Sequence, residues 1–164
     1  MQESLKEQFL NDFEANQNIA HKICRIYTSN ESDHNDLFQE ITIQLWNNYS
    51  KFRGDAKFST WMYRVALNTA ISLYRKSTRT IKTQDISDVA FKIRSEDYDD
   101  TQEQQLKSLY KAIRGLSDID KALVFLYLED KSYKEISETL GISEVNARVK
   151  MNRAKDKLKK ILNP

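Results

Sequence analysis

Glycine and proline are scarce: three glycines and one proline, the latter at the final residue, in 164 residues. A many-stranded sheet needs such turn-makers, so their rarity excludes most β architectures and leaves an all-α fold as the expectation. Cysteine is rarer still. The single Cys24 excludes an intramolecular disulfide, and with only His21 and His34 beside it no zinc-ligand spacing exists, so Cys24 reads as a small core residue. There is no apolar run of 18 residues and no charged-then-apolar leader, so no membrane insertion is expected and the cytoplasm is the expected compartment. An enzyme acting on nucleic acid would need carboxylates held together for metal ions, or a nucleophile beside its base. The acids cluster only where nothing would hold their geometry, so neither a catalytic residue nor a cofactor is expected.

What the chain does have is patterned charge. The net charge is +2, but its distribution says more than its sum. Residues 1–50 hold three bases against eight acids, a balance of −5. From Trp61 to Lys82 there are five bases and no acid. From Asp85 to Glu103 seven acids face two bases, and from Gly141 to Pro164 seven bases face two acids, a balance of +5. Two basic blocks separated by an acidic one suit a chain that touches a polyanion at two places.

Helical periodicity organises both blocks. Phe38, Ile41, Leu45 and Tyr49 recur at intervals of three and four, which predicts an amphipathic helix over 34–50 with Asp33 as its N-cap. The stretch "SKFRGDAKF" interrupts it with a Gly-Asp turn signal, and a second helix follows from Ser59 or Thr60 to Lys76. Between about Thr78 and Thr101 the periodicity fades into acids, serine and threonine, a composition that buries too little apolar surface to offset its ordering entropy and reads as a linker. Beyond it Leu106, Leu109 and Ile113 share a face that ends near Gly115. Ser117 with Asp120 and Ser132 with Glu135 mark two helix starts, Gly141 stops the second of them, and Ser143 caps a last helix. The expected architecture is two small helical domains, residues 1–80 and 103–164, joined by a flexible acidic linker over 81–102.

A short capped helix, a glycine turn and a longer helix form the layout of a helix-turn-helix, whose second member enters the major groove. At about 100° per residue, Ala147, Met151, Ala154, Leu158 and Ile161 form the expected buried stripe. Val145, Val149 and Asn152 then face outward, flanked by Arg148 on one edge and by Asn146, Lys150 and Arg153 on the other. Small residues in the middle can approach base edges while the cations reach phosphates.

In the first basic block Met62, Val65, Ala66, Thr69 and Leu73 make the expected core stripe, and Arg64, Asn68, Ser72, Arg75 and Arg79 a polar one. Phe52, Phe58, Trp61, Tyr63 and Tyr74 crowd around it. Bases, an amide and aromatic rings together suit single-stranded nucleic acid, since unstacked bases rest on rings while cations track the backbone. Trp46 and Trp61 themselves read as core residues.

With these residues in view, "DLFQEITIQLWNNYSKFRGDAKFSTWMYRVALNTAISLYRK" resembles region two of the bacterial sigma-70 family of RNA polymerase sigma factors, in its small extracytoplasmic-function (ECF) group. The stretch "LSDIDKALVFLYLEDKSYKEISETLGISEVNARVKMNRAKDKLKKIL" resembles region four. Together the two cover a little over half of the chain, in the family's order. The resemblance implies that Asp36, Gln39, Glu40, Gln44 and Trp46 bind the coiled coil of the polymerase β′ subunit. It implies that the −10 promoter element is opened and read by the loop residues Phe52, Arg53, Lys57 and Phe58 and the helix residues Arg64, Asn68, Ser72, Arg75 and Lys76. It implies that the −35 element is read as duplex by the helix after Ser143, through Val145, Asn146, Arg148, Val149, Lys150, Asn152 and Arg153, while another surface of the same region meets the β flap. The acidic linker resembles the segment such factors thread into the RNA exit path. An anti-sigma factor is a further partner the resemblance leaves room for.

This chain departs from its relatives in ways that bear on promoter choice. Many relatives have a serine where Val149 stands, and a glycine-threonine pair at Val145 and Asn146. Valine cannot donate a hydrogen bond but can contact a thymine methyl, so the family's usual −35 sequence is not expected. A stand-alone helix-turn-helix regulator stays open as the alternative. It would be a dimer on a palindrome and would leave the aromatic-basic helix without a purpose.

Overall fold

Four helix starts share one chemistry. Asn30, Ser117, Ser132 and Ser143 each stand in extended backbone, and each side-chain oxygen accepts a hydrogen bond from the backbone N–H three residues on, at Asp33, Asp120, Glu135 and Asn146. At Ser132 the Glu135 carboxylate also accepts from the Ser132 backbone N–H, completing a capping box. The computed structural model describes residues 2–80 and 100–164, with side chains over 4–75 and 102–164. Its helices are α1 (Gln2–Tyr27), α2 (Glu31–Asn48), α3 (Phe58–Thr80), α4 (Asp100–Arg114), α5 (Asp118–Leu128), α6 (Tyr133–Leu140) and α7 (Glu144–Leu162). A single 3-10 turn, Tyr49–Lys51, follows α2. Among the described residues all regular structure is helical, as the shortage of turn-makers requires.

Several local expectations are corrected. The cap of α2 is Asn30 rather than Asp33, because Asn30 is the residue in extended backbone and its amide both accepts from the Asp33 N–H and donates to the Asp33 carboxylate, each at 2.8 Å. Helix α3 begins at Phe58 and runs on to Thr80, past Lys76, and α4 already starts at Asp100, inside the span expected to be linker. The rest of that linker, 81–99, lies outside the described residues. Helix α1 was not anticipated as an element. It contributes Phe9, Phe13, Ala20, Ile23, Cys24 and Tyr27 to the core, with Cys24 fully buried as expected.

The buried stripe of α3 is rotated from the expected one. Phe58, Met62, Tyr63, Ala66, Leu67 and Ala70 are buried, whereas Val65 and Thr69 are half-buried and Leu73 is 38% exposed. The reason is tertiary. Helix α3 packs against α1 and α2 and also against α5 and α6, where the Tyr63 ring meets Phe125, so its buried arc is wider than helical period alone can foresee.

Helices α1 to α3 form one module and α4 to α7 a second, and the two share a continuous core. Their boundary is pinned by named bonds. The Tyr27 hydroxyl donates to the Asp118 carbonyl at 2.7 Å, and the Arg114 guanidinium donates to the Arg25 carbonyl at 3.0 Å. The Tyr63 ring packs on Phe125, and the Tyr63 hydroxyl and Lys22 ammonium both donate to Glu129. Burial, reinforced by the Asp118 charge, pushes the Tyr27 hydroxyl well above its ordinary pKa, so it stays a neutral donor.

Candidate nucleic-acid interface

The geometry of α7 follows from how α6 ends. Gly141 takes a left-handed conformation, φ 70° and ψ 32°, which lets the chain reverse within two residues and reach the Ser143 cap. Ala147, Met151 and Ala154 are then buried against α5 and α6, and Leu158 is half-buried. Ile161, expected in the same stripe, is 49% exposed, because the last turn of α7 outruns the short helices it packs on. The opposite face is open: Val145 is 72% exposed and Val149 41%, with Asn146, Arg148, Asn152 and Arg153 exposed around them and Lys150 half-buried. All seven residues expected to face duplex DNA therefore lie on one side or its edges.

One edge of that face is built on tyrosines. The Arg148 guanidinium lies 5.0 Å from the centroid of the Tyr133 ring, and the Lys155 ammonium 4.4 Å from that of Tyr127. Lys155 also donates to the Tyr127 hydroxyl at 3.2 Å, and that bond raises its pKa. Sequence reasoning passed over Tyr133, Tyr127 and Lys155. The signal that could have found them is the seven-residue spacing of Arg148 and Lys155, about two turns along one edge.

The second candidate surface lies on α3 and the loop before it. Arg64, Asn68, Ser72 and Arg75 are exposed on the helix, as are Arg53 and Lys57 in the loop. Lys76 is in α3, but its side chain lies outside the described residues. Phe52 is half-buried, with its ring 5.1 Å from Trp61 and 5.9 Å from Phe58. Phe58 is 8% exposed, so its ring is a floor beneath the loop and not a surface open to a base. Tyr49 completes this aromatic group and anchors it to α1, its hydroxyl donating to the Asp12 carboxylate at 2.7 Å. Burial, with that bond, pushes the Tyr49 hydroxyl up to about 12.

Between α2 and α3 runs an open cleft of about 530 Å³, lined by Glu40, Gln44 and Asn48 on one side and Asn68, Thr69 and Ser72 on the other. Gln44 thus faces the same space as Asn68. Asp36 and Gln39 are exposed on α2, and Trp46 is 40% exposed with its indole against Phe9, 5.2 Å between centroids, instead of lying in the core. At about 100° per residue Gln44 and Trp46 fall on opposite flanks of α2. Asp36, Gln39 and Trp46 lie outside the cleft, and Glu40 and Gln44 line its edge together, the Gln44 amide donating to the Glu40 carboxylate at 3.1 Å. Where the modules meet, a smaller cleft of about 200 Å³ sets Arg64 and Trp61 against Glu135 and Glu138.

Among the described residues no group of three or more histidines, cysteines, aspartates or glutamates could hold a metal ion, and no helix is long and apolar enough to cross a membrane. A basic helix-turn-helix joined to a helix that presents cations, an amide and rings defines a two-module helical protein of the nucleic-acid-binding class. Comparison with known proteins narrows the class: sigma-70 region 2 matches residues 13–80 and sigma-70 region 4 matches residues 106–158. The chain belongs to the sigma-70 family of RNA polymerase sigma factors, among its ECF members, the proteins that direct core polymerase to promoters in transcription initiation.

Its relatives agree. It is 28% identical over 142 residues to the ECF RNA polymerase sigma-E factor of Haemophilus influenzae, covering 79% of this chain and 74% of that one. It is 27% identical over 158 residues to the RNA polymerase sigma-H factor of Pseudomonas aeruginosa, covering 88% and 82%. Among solved structures, the fold is similar to the sigma factor RpoE of Bartonella quintana in complex with the anti-sigma factor NepR, with a TM-score of 0.72 at 20% identity over 97% of this chain and 96% of that one. It is also similar to CnrH in complex with the cytosolic domain of CnrY, with a TM-score of 0.67 at 19% identity over 96% and 89%.

Proposed function

We propose that the open face of α7 reads the −35 element as duplex DNA and that the loop 52–57 with α3 opens and reads the −10 element. The observation that carries the first assignment is the exposure of Val145, Val149 and Asn152 between flanking cations on a helix whose start is fixed by Ser143. Short apolar side chains at the centre favour contact with thymine methyls, and Arg148 and Arg153 reach guanines or phosphates from the edges. For the −10 element, Asn68 and Ser72 in the α2–α3 cleft supply hydrogen bonds to an unstacked base, and Arg53, Lys57, Arg64 and Arg75 track the strand. Asp36, Gln39 and Trp46, with Glu40 and Gln44 at the edge of the cleft, form the surface for the coiled coil of the β′ subunit, and region four meets the β flap.

In this reading the two helical modules, α1–α3 and α4–α7, are the working domains, and the acidic span 81–99 between them enters the RNA exit path. Neither DNA face need bind tightly alone, since the polymerase holds both and raises their effective concentration. The role requires no catalytic centre or cofactor of the chain's own and is exercised in the cytoplasm, where the polymerase works. One structural neighbour is a sigma factor bound to an anti-sigma factor, which supports such a factor as a further partner here. The test is transcription in vitro with purified core enzyme on a genomic library. The expected result is a discrete set of start sites that appear only when this chain is added, and no start-site selection would overturn the reading.

A further inference from the structure

Arg148 and Lys155 stand on one edge of α7, about two turns apart, and each rests on a tyrosine from a different helix. Tyr133 is the first residue of α6, and Tyr127 lies near the end of α5. Tyr133 is half-buried against the core, and the Ser132 capping box beneath it fixes where α6 begins, so its ring is a rigid platform. Arg148 is exposed, yet its guanidinium sits 5.0 Å from the centroid of that ring. Lys155 is held twice by Tyr127, over the ring at 4.4 Å and through the hydroxyl at 3.2 Å. A free arginine or lysine on a helix edge samples many rotamers, and ordering it on DNA costs affinity. A ring beneath the charge removes part of that cost beforehand.

We infer that Tyr133 and Tyr127 are positioning residues for promoter recognition, Tyr133 aiming Arg148 at a base edge of the −35 element and Tyr127 aiming Lys155 at a neighbouring phosphate. The division of labour follows from place and chemistry. Arg148 is one residue from Val149, close to the base-reading centre, and its planar fork suits bidentate contact with a guanine edge. Lys155 is a compact point charge beyond that centre, where the duplex backbone passes. Tyr63 and Tyr27 also carry cations, Lys131 at 4.8 Å and Lys121 at 5.3 Å, but those pairs lie at the boundary between modules and away from the α7 face.

The inference rests on the assignment of α7 to the −35 element, and one experiment separates the two. Holoenzyme reconstituted from core polymerase and the full chain is bound to a duplex selected from a randomised −35 library, then to every single-base variant of that duplex over a range of salt. Arg148→Ala should relax discrimination at one base pair. Tyr133→Leu should relax the same base pair by about two- to five-fold, the worth of a cation held over an exposed ring, whereas Tyr133→Phe keeps it. Tyr127→Leu should weaken all sequences alike and lower the salt slope by at most about one phosphate contact. If Arg148→Ala relaxes a base pair and Tyr133→Leu does not, the inference fails and the assignment of α7 stands. If Arg148→Ala changes no base preference, both fall. A measurement on the free chain covers the case in which Tyr133→Leu unfolds: the Arg148 δ-methylene protons should show an upfield ring-current shift, and resonances at ordinary positions overturn the inference.

Discussion

Tyr63 and Glu129, 66 residues apart in the chain, meet across the boundary of the two modules, the Tyr63 hydroxyl donating to Glu129 Oε2 at 2.9 Å. Lys22 reaches the other oxygen of the same carboxylate at 3.2 Å, so one acid at the end of α5 gathers a donor from α3 and another from α1. The two donors are unequal. Tyr63 is 6% exposed and its hydroxyl has given up water for this bond, whereas the Lys22 side chain is 45% exposed and its charge is screened. Tyr63→Phe should therefore cost about 1 kcal/mol of stability, and Glu129→Ala about 1 to 3 kcal/mol because it strands the buried hydroxyl. Urea unfolding of the two single variants and the double variant checks the coupling. Fully additive losses would mean that the bond contributes nothing.

Asn68 should matter for opening and not for initial duplex recognition, because it lies on the α2–α3 cleft and far in sequence from α7. Asn68→Ala is expected to reduce open-complex formation by about 1 to 3 kcal/mol, the range for a lost base contact, with −35 binding by the holoenzyme unchanged. Permanganate footprinting on ordinary and premelted templates tests this. A premelted −10 element should restore most of the activity, and a defect that persists undiminished on it would contradict the assignment.

These two residues also mark where sequence reasoning succeeds and where it stops. Asn68 was legible because exposure on a helix follows from local period, and the Ser132, Gly141 and Ser143 signals were legible because caps act within one turn. The partners of Glu129 were not legible, since nothing local links residue 129 to residues 22 and 63. The same cause widened the buried arc of α3, where Tyr63 is covered by Phe125 from the second module. Helix α1 carried a local signal of its own, with Phe9 and Phe13 four apart and Ala20, Ile23 and Tyr27 at three and four, and sequence reasoning passed over it. Trp46 was read as core because tryptophan usually is, yet it is 40% exposed on α2, with its indole against Phe9.

Gly141 sets the angle between α6 and α7, and its role is purely conformational. A Cβ built there meets nothing within 4 Å, so any effect of substitution comes from its φ of 70° and not from a clash. Gly141→Ala should destabilise by about 1 kcal/mol, and Gly141→Asn by less, since asparagine tolerates the left-handed region better. Thermal unfolding of the three proteins should rank them in that order. An alanine variant as stable as the parent would show that the turn relaxes to another conformation.

The histidine pair should make the fold sensitive to mild acid. His21 Nδ1 and His34 Nε2 are 3.1 Å apart, their rings stack at 5.3 Å, and Phe38 covers His21 at 4.4 Å. Burial is the main cause that holds both rings below their ordinary pKa of 6.5, with Arg25 adding to it for each. For His34 the neighbouring His21 lowers it further and Glu31 opposes. In the window between the depressed folded values and 6.5 the unfolded chain binds more protons than the folded one, so stability is complete above about pH 6.5 and is lost as the pH falls through that window. The unfolding midpoint should therefore drop between about pH 7.5 and 5.5, a range above the ordinary carboxylate pKa values. In His21→Gln/His34→Gln the midpoint should be nearly flat over the same range, whatever its absolute value. A double variant that keeps the full slope would place the acid sensitivity elsewhere.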